Sequence, residues 1–111
     1  MSTNNGLKPP KTLRKAGRNH WKAILRDYLL EEAHHLRLLE HASGCVDQIV
    51  EDEKALEENG NFYTDRFGQP KERPESKRIR DNKILFCRIM RELNLDIEPP
   101  QENRPPALYG S

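Results

Sequence analysis

Apolar residues recur at intervals of three and four along three separate stretches of the chain, which is the spacing of an amphipathic α-helix. The first stretch begins at Thr12, a residue suited to cap a helix, and runs to about Tyr28. One face of this predicted helix carries Leu13, Gly17, Trp21, Ile24 and Tyr28. Gly17 lowers helix propensity by about 1 kcal/mol relative to alanine, so we expect either a close packing contact or a weak point there. At this spacing Trp21 and Tyr28 are expected to be core residues rather than platforms for stacked bases.

The second stretch predicts a long helix from about Leu30 to Asn59. At a rise of about 1.5 Å per residue such a helix is roughly 45 Å long. The pair Asn59-Gly60 suits a left-handed C-terminal cap. Gly44 and Glu53 interrupt an apolar seam of Leu39, Ala42, Val46, Ile49 and Leu56, which indicates a helix that packs on other helices.

The third stretch predicts a helix from Pro74, a residue favoured at the first helical position, to about Leu95. Its apolar stripe consists of Ile79, Phe86, Ile89, Met90 and Leu93. Its flanks are basic, with Lys77, Arg78, Arg80, Lys83, Arg88 and Arg91. The third helix therefore combines an apolar packing face with a cationic surface.

The segment YTDRFGQPKERPESK, residues 63–77, separates the second and third helices. Asp65 can accept a bond from the backbone two residues on, and Gly68 tolerates a positive φ, so this run predicts a tight turn. The aromatic residues before the turn favour extended structure, and the prolines after it are confined to sheet edges or loops. We therefore predict a short β-hairpin or an ordered loop near residues 62–73.

Together these elements predict an all-α fold of three helices with a long central helix. A short β-hairpin or ordered turn lies between helices two and three, which run antiparallel because their connection is short. Residues 1–10 end in a proline pair and are expected to form a flexible arm, and residues 11–95 the helical domain. Residues 96–111 contain four prolines and are expected to form an extended tail, so both termini are predicted to be flexible.

The composition limits how much core the chain can build. Only 34% of its 111 residues are apolar and 33% are charged, so we expect a single domain with a small core that gains stability by self-association. No apolar run reaches the length of a membrane span, and no charged-then-apolar leader is evident. The expected location is therefore a cytoplasm, with no membrane partner.

Charge is strongly segregated along the chain although its net value is only +1. Seven basic residues and no acidic one lie between Lys8 and Arg26. Residues 27–60 hold ten acidic and two basic residues, a net charge of −8. Residues 61–95 hold nine basic and five acidic residues, a net charge of +4. The order is therefore basic, acidic, basic.

The basic segments predict contact with the phosphates of double-stranded DNA, without sequence reading. The principal contacts are expected from Lys8, Lys11, Arg14, Lys15, Arg18 and Lys22. Lys77, Arg78 and Arg80 are expected to be secondary, because acidic residues lie among them. The alternative is that these cations only solvate the surface, or pair with the acidic second helix of the same or a neighbouring subunit.

Catalytic and metal sites are not expected in this chain. No nucleophile elbow and no Walker-type glycine loop are present, so neither an enzyme nor a cofactor is predicted. His34, His41 and Cys45 share one helical face, but a single straight helix rarely presents three ligands to one ion, so a metal site is the less favoured interpretation. Cys45 and Cys87 are both expected to be buried free thiols.

In its ordered set of motifs, the chain resembles the small terminase subunits of tailed double-stranded-DNA phages. The resemblance runs from LKPPKTL at residues 7–13 through the tryptophan-containing first helix and the acidic second helix. It continues through the basic third helix to RELNLD at residues 91–96 and RPPAL at residues 104–108. It is closest in the segment between helices two and three, where a Tyr-Thr-x-x-x-Gly-x-x-x-x-x-Pro pattern typical of the family is matched by Tyr63, Thr64, Gly68 and Pro74.

The resemblance implies a non-catalytic protein of viral genome packaging that works in the cytoplasm of a bacterial host. Subunits of this family form homo-oligomeric rings, recognise viral DNA, and recruit or regulate the large terminase subunit, which carries the ATPase and nuclease activities. The alternative class is a small helical DNA-binding regulator or a structural adaptor of the phage particle. A regulator is expected to be a dimer with a preferred operator, whereas a small terminase subunit is expected to be a larger ring with salt-dependent binding.

Overall fold

The computed structural model describes residues 7–95, which form three α-helices and one two-stranded antiparallel sheet. The elements are α1 (Lys15–Asp27), α2 (Ala33–Asn59), β1 (Phe62–Thr64), β2 (Pro70–Glu72) and α3 (Pro74–Leu93). This confirms the predicted fold class, a long central helix with a hairpin before the third helix. Of the predicted N-terminal arm, residues 7–10 have neither helix nor strand. Residues 1–6 and the predicted tail, residues 96–111, lie outside the described residues.

Helices α2 and α3 pack against each other in opposite directions. Near the hairpin, Asp52 of α2 pairs with Arg78 of α3. Earlier in α2, Ala42 lies in a buried cluster with Ile89, which comes later in α3. Because position along one helix rises as position along the other falls, the predicted antiparallel pair is confirmed.

The core is built where all three helices meet. Its larger cluster contains Leu13, Trp21, Leu25, Leu30, Leu39 and Leu93. Trp21 is only 5% exposed, which confirms its predicted place in the core. Leu30 lies in the link between α1 and α2 and is nevertheless buried, so the link helps to close the core. A second cluster of Ala42, Cys45 and Ile89 joins α2 to α3.

The start of α1 corrects the prediction that Thr12 caps this helix. The residue at the cap position is Arg14, and its side chain makes no capping bond. The cap comes instead from α2, because the Asp47 carboxylate accepts the Arg14 amide at 2.7 Å and the Gly17 amide at 2.6 Å. A buried carboxylate in this position satisfies two otherwise unpaired donors and opposes the positive end of the helix dipole. Thr12 lies in the preceding turn.

Gly17 is required by the close approach of α1 to α2. A Cβ atom at this position would lie 2.8 Å from the Asp47 Cγ and 2.8 Å from the Ser43 carbonyl oxygen. Both distances are far shorter than a van der Waals contact. Of the two outcomes predicted for Gly17, the close packing contact is therefore the one observed.

Two predicted helix boundaries are moved by a few residues. Helix α2 begins at Ala33 rather than near Leu30. Helix α3 ends at Leu93 rather than near Leu95, because Asn94 turns into the left-handed conformation with a φ of 50°. The predicted end of α2 at Asn59 is confirmed, but the predicted left-handed cap is wrong, because Gly60 has a φ of 86° and an extended ψ of 167°.

The hairpin has the turn that the sequence predicts. The Asp65 Oδ1 accepts the Phe67 amide at 2.8 Å and the Gln69 amide at 2.9 Å, and Gly68 has a φ of 80°. The strands pair in the register Phe62 with Glu72. All six strand residues are exposed, so the hairpin projects from the helices rather than packing into their core.

Candidate nucleic-acid interface

The outer face of α1 carries a continuous row of exposed cations. We call Lys15, Arg18 and Lys22 the α1 stripe; they follow each other at intervals of three and four residues and all are exposed. The opposite face of the helix is buried through Gly17 and Trp21. From the first to the last cation the helix rises by about 10 Å, or roughly three base-pair steps of duplex DNA.

Most cations predicted as principal DNA contacts have no acidic partner. Within residues 7–95, no ion pair is formed by Lys8, Lys11, Lys15 or Lys22. Arg18 is also without a carboxylate, and its guanidinium donates to the Leu13 carbonyl oxygen at 2.6 Å. Lys8 and Lys11 are also exposed, and they lie in the segment that leads into α1.

Arg14 differs from the other predicted principal contacts. Its guanidinium lies 2.5 Å from the Glu51 carboxylate of α2. The hydrogen bond from this group to Glu51 raises the pKa of Arg14 above its ordinary high value. Because its backbone amide also binds Asp47, Arg14 belongs to the junction between α1 and α2 rather than to the α1 stripe.

Each cation predicted as a secondary contact on α3 is paired within the molecule. Arg78 donates to both carboxylate oxygens of Asp52, at 2.8 and 3.1 Å. These hydrogen bonds hold the pKa of Asp52 below its ordinary value. Arg80 lies 3.0 Å from Glu72, and Lys77 lies 2.8 Å from Asp81. A phosphate would have to displace a carboxylate at all three positions.

Sequence reasoning gave no DNA-binding role to two free arginines farther along α3. Arg88 and Arg91 are exposed, and neither forms an ion pair with any residue between 7 and 95. Beside them Ile84 is 58% exposed, and Cys87 is exposed as well. The prediction that Cys87 is buried is therefore wrong, because only one narrow face of α3 packs on α2. Cys45 is buried as predicted, and this burial raises the pKa of its thiol.

His20 of α1 contacts both of the other helices. The Nδ1 of His20 lies 3.0 Å from the Ser43 hydroxyl of α2, and the centroids of the His20 ring and the Phe86 ring of α3 lie 5.3 Å apart in a T-shaped arrangement. Burial lowers the pKa of His20, because an imidazolium would lose hydration there. The neutral ring is thus the form that this junction favours.

The less favoured metal hypothesis finds no support in the arrangement of its residues. Cys45 is buried, whereas His34 and His41 are exposed. In the part of the chain that the structure describes, the group whose ligand atoms lie within 4.8 Å of one another is Glu32, His34 and His35. This group surrounds the start of α2, where the positive end of the helix dipole disfavours a cation.

None of the three described helices is both long and apolar enough to cross a membrane. Comparisons with family models, with curated proteins and with solved structures find no match for this chain.

Proposed function

We propose that this chain is the small subunit of a phage terminase, a non-catalytic component of viral genome packaging. In this role it assembles with copies of itself, binds double-stranded viral DNA, and recruits or regulates the large subunit that holds the ATPase and nuclease. It acts in the cytoplasm of the bacterial host. The identity of the system rests on the resemblance of the motifs between residues 7 and 108. The DNA contact also has independent support from the charge distribution.

The observation that carries the DNA contact is the α1 stripe. Lys15, Arg18 and Lys22 form one exposed row, and no carboxylate between residues 7 and 95 neutralises them. A row of unpaired cations binds phosphates with release of counterions and without reading bases. The paired state of Lys77, Arg78 and Arg80 supports the secondary rank given to these residues on α3.

The test replaces Lys15 and Arg18 together by glutamate and measures duplex DNA affinity across a range of salt concentrations. Each lost phosphate contact reduces the slope of log affinity against log salt by about 0.9, so the slope is expected to fall by about 2. Affinity is expected to fall to a similar extent for every sequence, because phosphate contacts carry no sequence information. The matched variant, Lys77→Glu with Arg80→Glu, is expected to have the smaller effect.

Two results would contradict this proposal. If the wild-type protein does not bind duplex DNA at low salt, the DNA function is wrong. If the α1 variant keeps the wild-type affinity and slope while the α3 variant loses them, the DNA path follows α3. The alternative, a small DNA-binding regulator, is favoured instead if the protein is a dimer with one preferred operator sequence.

A further inference from the structure

Helix α3 exposes a surface that mixes apolar and basic groups. We call Ile84, Cys87, Arg88 and Arg91 the α3 outer stripe; these residues follow at helical spacing and all are exposed. Ile84 is 58% exposed, and the two arginines have no ion pair within residues 7–95. The α1 stripe contains no apolar side chain, so the two basic surfaces of the molecule differ in kind.

Helix α2 exposes a surface of the opposite charge near its C-terminal end. We call Val50, Glu53 and Glu57 the α2 acidic stripe; Val50 is 47% exposed and the glutamates follow it by three and seven residues. The exposed charged residues between positions 50 and 59 are four glutamates and Lys54. Glu53 lies 3.8 Å from Lys83 of α3, and Glu57 has no ion pair with a described residue.

The two stripes match each other in length and order. Each begins with a branched apolar residue, Val50 or Ile84, and carries charges three or four and then seven residues later. Seven residues of helix span about 10 Å, so one stripe can cover the other along its whole length. Packing the apolar residues removes water from the charges beside them, which strengthens ion pairs that contribute little when fully exposed.

We propose that the α3 outer stripe of one copy docks on the α2 acidic stripe of a second copy. This inference specifies the surfaces used for self-association, so it rests on that part of the proposed function. A DNA phosphate makes no favourable contact with the apolar side chain of Ile84, and the glutamates of the α2 acidic stripe repel DNA. A second copy of the chain offers each stripe an apolar residue and charges of the opposite sign.

The geometry of this contact has a consequence for assembly. The two stripes are different patches of one molecule, so the contact is head-to-tail and leaves each copy with one free patch of each kind. Such a contact adds further copies until the chain of subunits closes into a ring or continues as a filament. An isologous dimer would instead use the same patch on both copies.

The test measures absolute mass by light scattering at tens of micromolar protein. Replacing Arg88 and Arg91 by glutamate is expected to reduce the mass to that of the 13.0 kDa monomer, because two acidic stripes then face each other. Replacing Glu53 and Glu57 by arginine is expected to do the same, with two basic stripes. In a mixture each variant can dock only on the other, with opposite charges at each such contact, so the mixture is expected to form oligomers again.

A second measurement does not depend on charge reversal. Val50→Cys places a thiol on the α2 acidic stripe, and the native Cys87 lies on the α3 outer stripe. A short bismaleimide is expected to join copies of this variant into covalent dimers and larger species. The same variant that also carries Cys87→Ser is expected to remain monomeric on a denaturing gel. Absence of covalent species from the first variant would contradict the proposed contact.

The outcomes separate this inference from the proposed function. A wild-type protein that is monomeric at tens of micromolar overturns both the self-association and the contact. A wild-type oligomer whose mass is unchanged in both charge variants overturns the contact alone.

Discussion

Helices α1 and α3 both pack on α2 through apolar side chains, but their polar contacts with α2 differ. At the start of α1, the Asp47 carboxylate accepts two backbone amides and the helices approach too closely for any side chain at Gly17. α3 meets α2 through the apolar cluster of Ala42, Cys45 and Ile89. Both helices also bury apolar side chains in the larger core cluster, Trp21 and Leu25 from α1 and Leu93 from α3. The start of α1 differs because it also depends on directional bonds from two backbone amides to one buried carboxylate.

This difference determines how each junction responds to a mutation. A hydrogen bond to a buried acceptor is lost entirely when the acceptor is removed. The donors left behind are shielded from water, so the folded state also bears the cost of their lost hydration. Contacts spread along a helix are lost one side chain at a time. Since Lys15 and Arg18 lie in the first turn of α1, loss of the Asp47 bonds is expected to affect the proposed DNA surface as well.

The largest expected effect is that of Asp47→Ala. This change leaves the amides of Arg14 and Gly17 without their acceptor, so we expect the free energy of unfolding to fall by about 3 kcal/mol. Urea denaturation measures this loss. Hydrogen exchange is expected to show that amides of α1 lose protection while those between α2 and α3 keep theirs.

The matched control is Asp52→Ala, which removes the other buried carboxylate of α2. Its partner Arg78 has a side chain that is 50% exposed and can turn to water, so a smaller loss is expected. Equal losses in the two variants, or a loss of protection spread evenly over all three helices, would show that the two junctions do not differ as described.

Gly17→Ala is expected to have the next largest effect. Overpacking against Asp47 and the Ser43 carbonyl oxygen costs about 1–3 kcal/mol, and the higher helix propensity of alanine offsets about 1 kcal/mol of this. The net loss, about 1 kcal/mol, is measured as a lower midpoint of urea denaturation. Gly44→Ala is the control: apart from the backbone of its own helix and its chain neighbours, nothing lies within 4 Å of a Cβ there, so a gain of up to about 1 kcal/mol is expected. A Gly17→Ala variant that is as stabilised as Gly44→Ala would contradict the close contact.

The smallest expected effect is a dependence of the α1 junction on pH. Burial depresses the pKa of His20 below its ordinary value of 6.5, so the unfolded chain binds a proton before the folded one does. This contribution to stability is present above pH 6.5 and is lost as the pH falls through the folded-state pKa. We therefore expect the protein to be less stable at pH 5.5 than at pH 7.5.

The measurement for this prediction is the free energy of unfolding at both pH values. His20→Gln is expected to abolish this part of the dependence, and His41→Gln, a change at an exposed histidine, to retain it. An unchanged dependence in His20→Gln would mean that protonation at this junction does not affect the packing of α1.

Local sequence patterns were sufficient to predict most of the fold. The three apolar stripes follow from helical periodicity, and the turn at Asp65 and Gly68 follows from the chemistry of those two residues. Each of these features involves residues close together in sequence. The same holds for the end of α2 at Asn59 and for the burial of Trp21.

The features that sequence reasoning missed depend on contacts between distant residues. The cap of α1 comes from Asp47, 30 residues after Gly17, and no local pattern links the two. The pairing of Arg78 with Asp52 depends on how α2 and α3 align, so the sequence showed a cation but not its partner. Gly17 was the one local signal of the α1 junction, because a glycine inside a helix lowers helix propensity and so indicates a close packing contact.

The cap supplied by Asp47 also bears on the order in which the newly made chain can fold. A ribosome completes α1 at Asp27 before it adds Asp47, and at about 5–20 residues per second the synthesis of the intervening residues takes about 1–4 seconds. During that time the amides of Arg14 and Gly17 have only water as a partner, and a helix of 13 residues is marginal by itself. Helix α1 therefore becomes stable only after α2 has left the ribosome, because its N-terminal cap is a residue that is synthesised later than the helix itself.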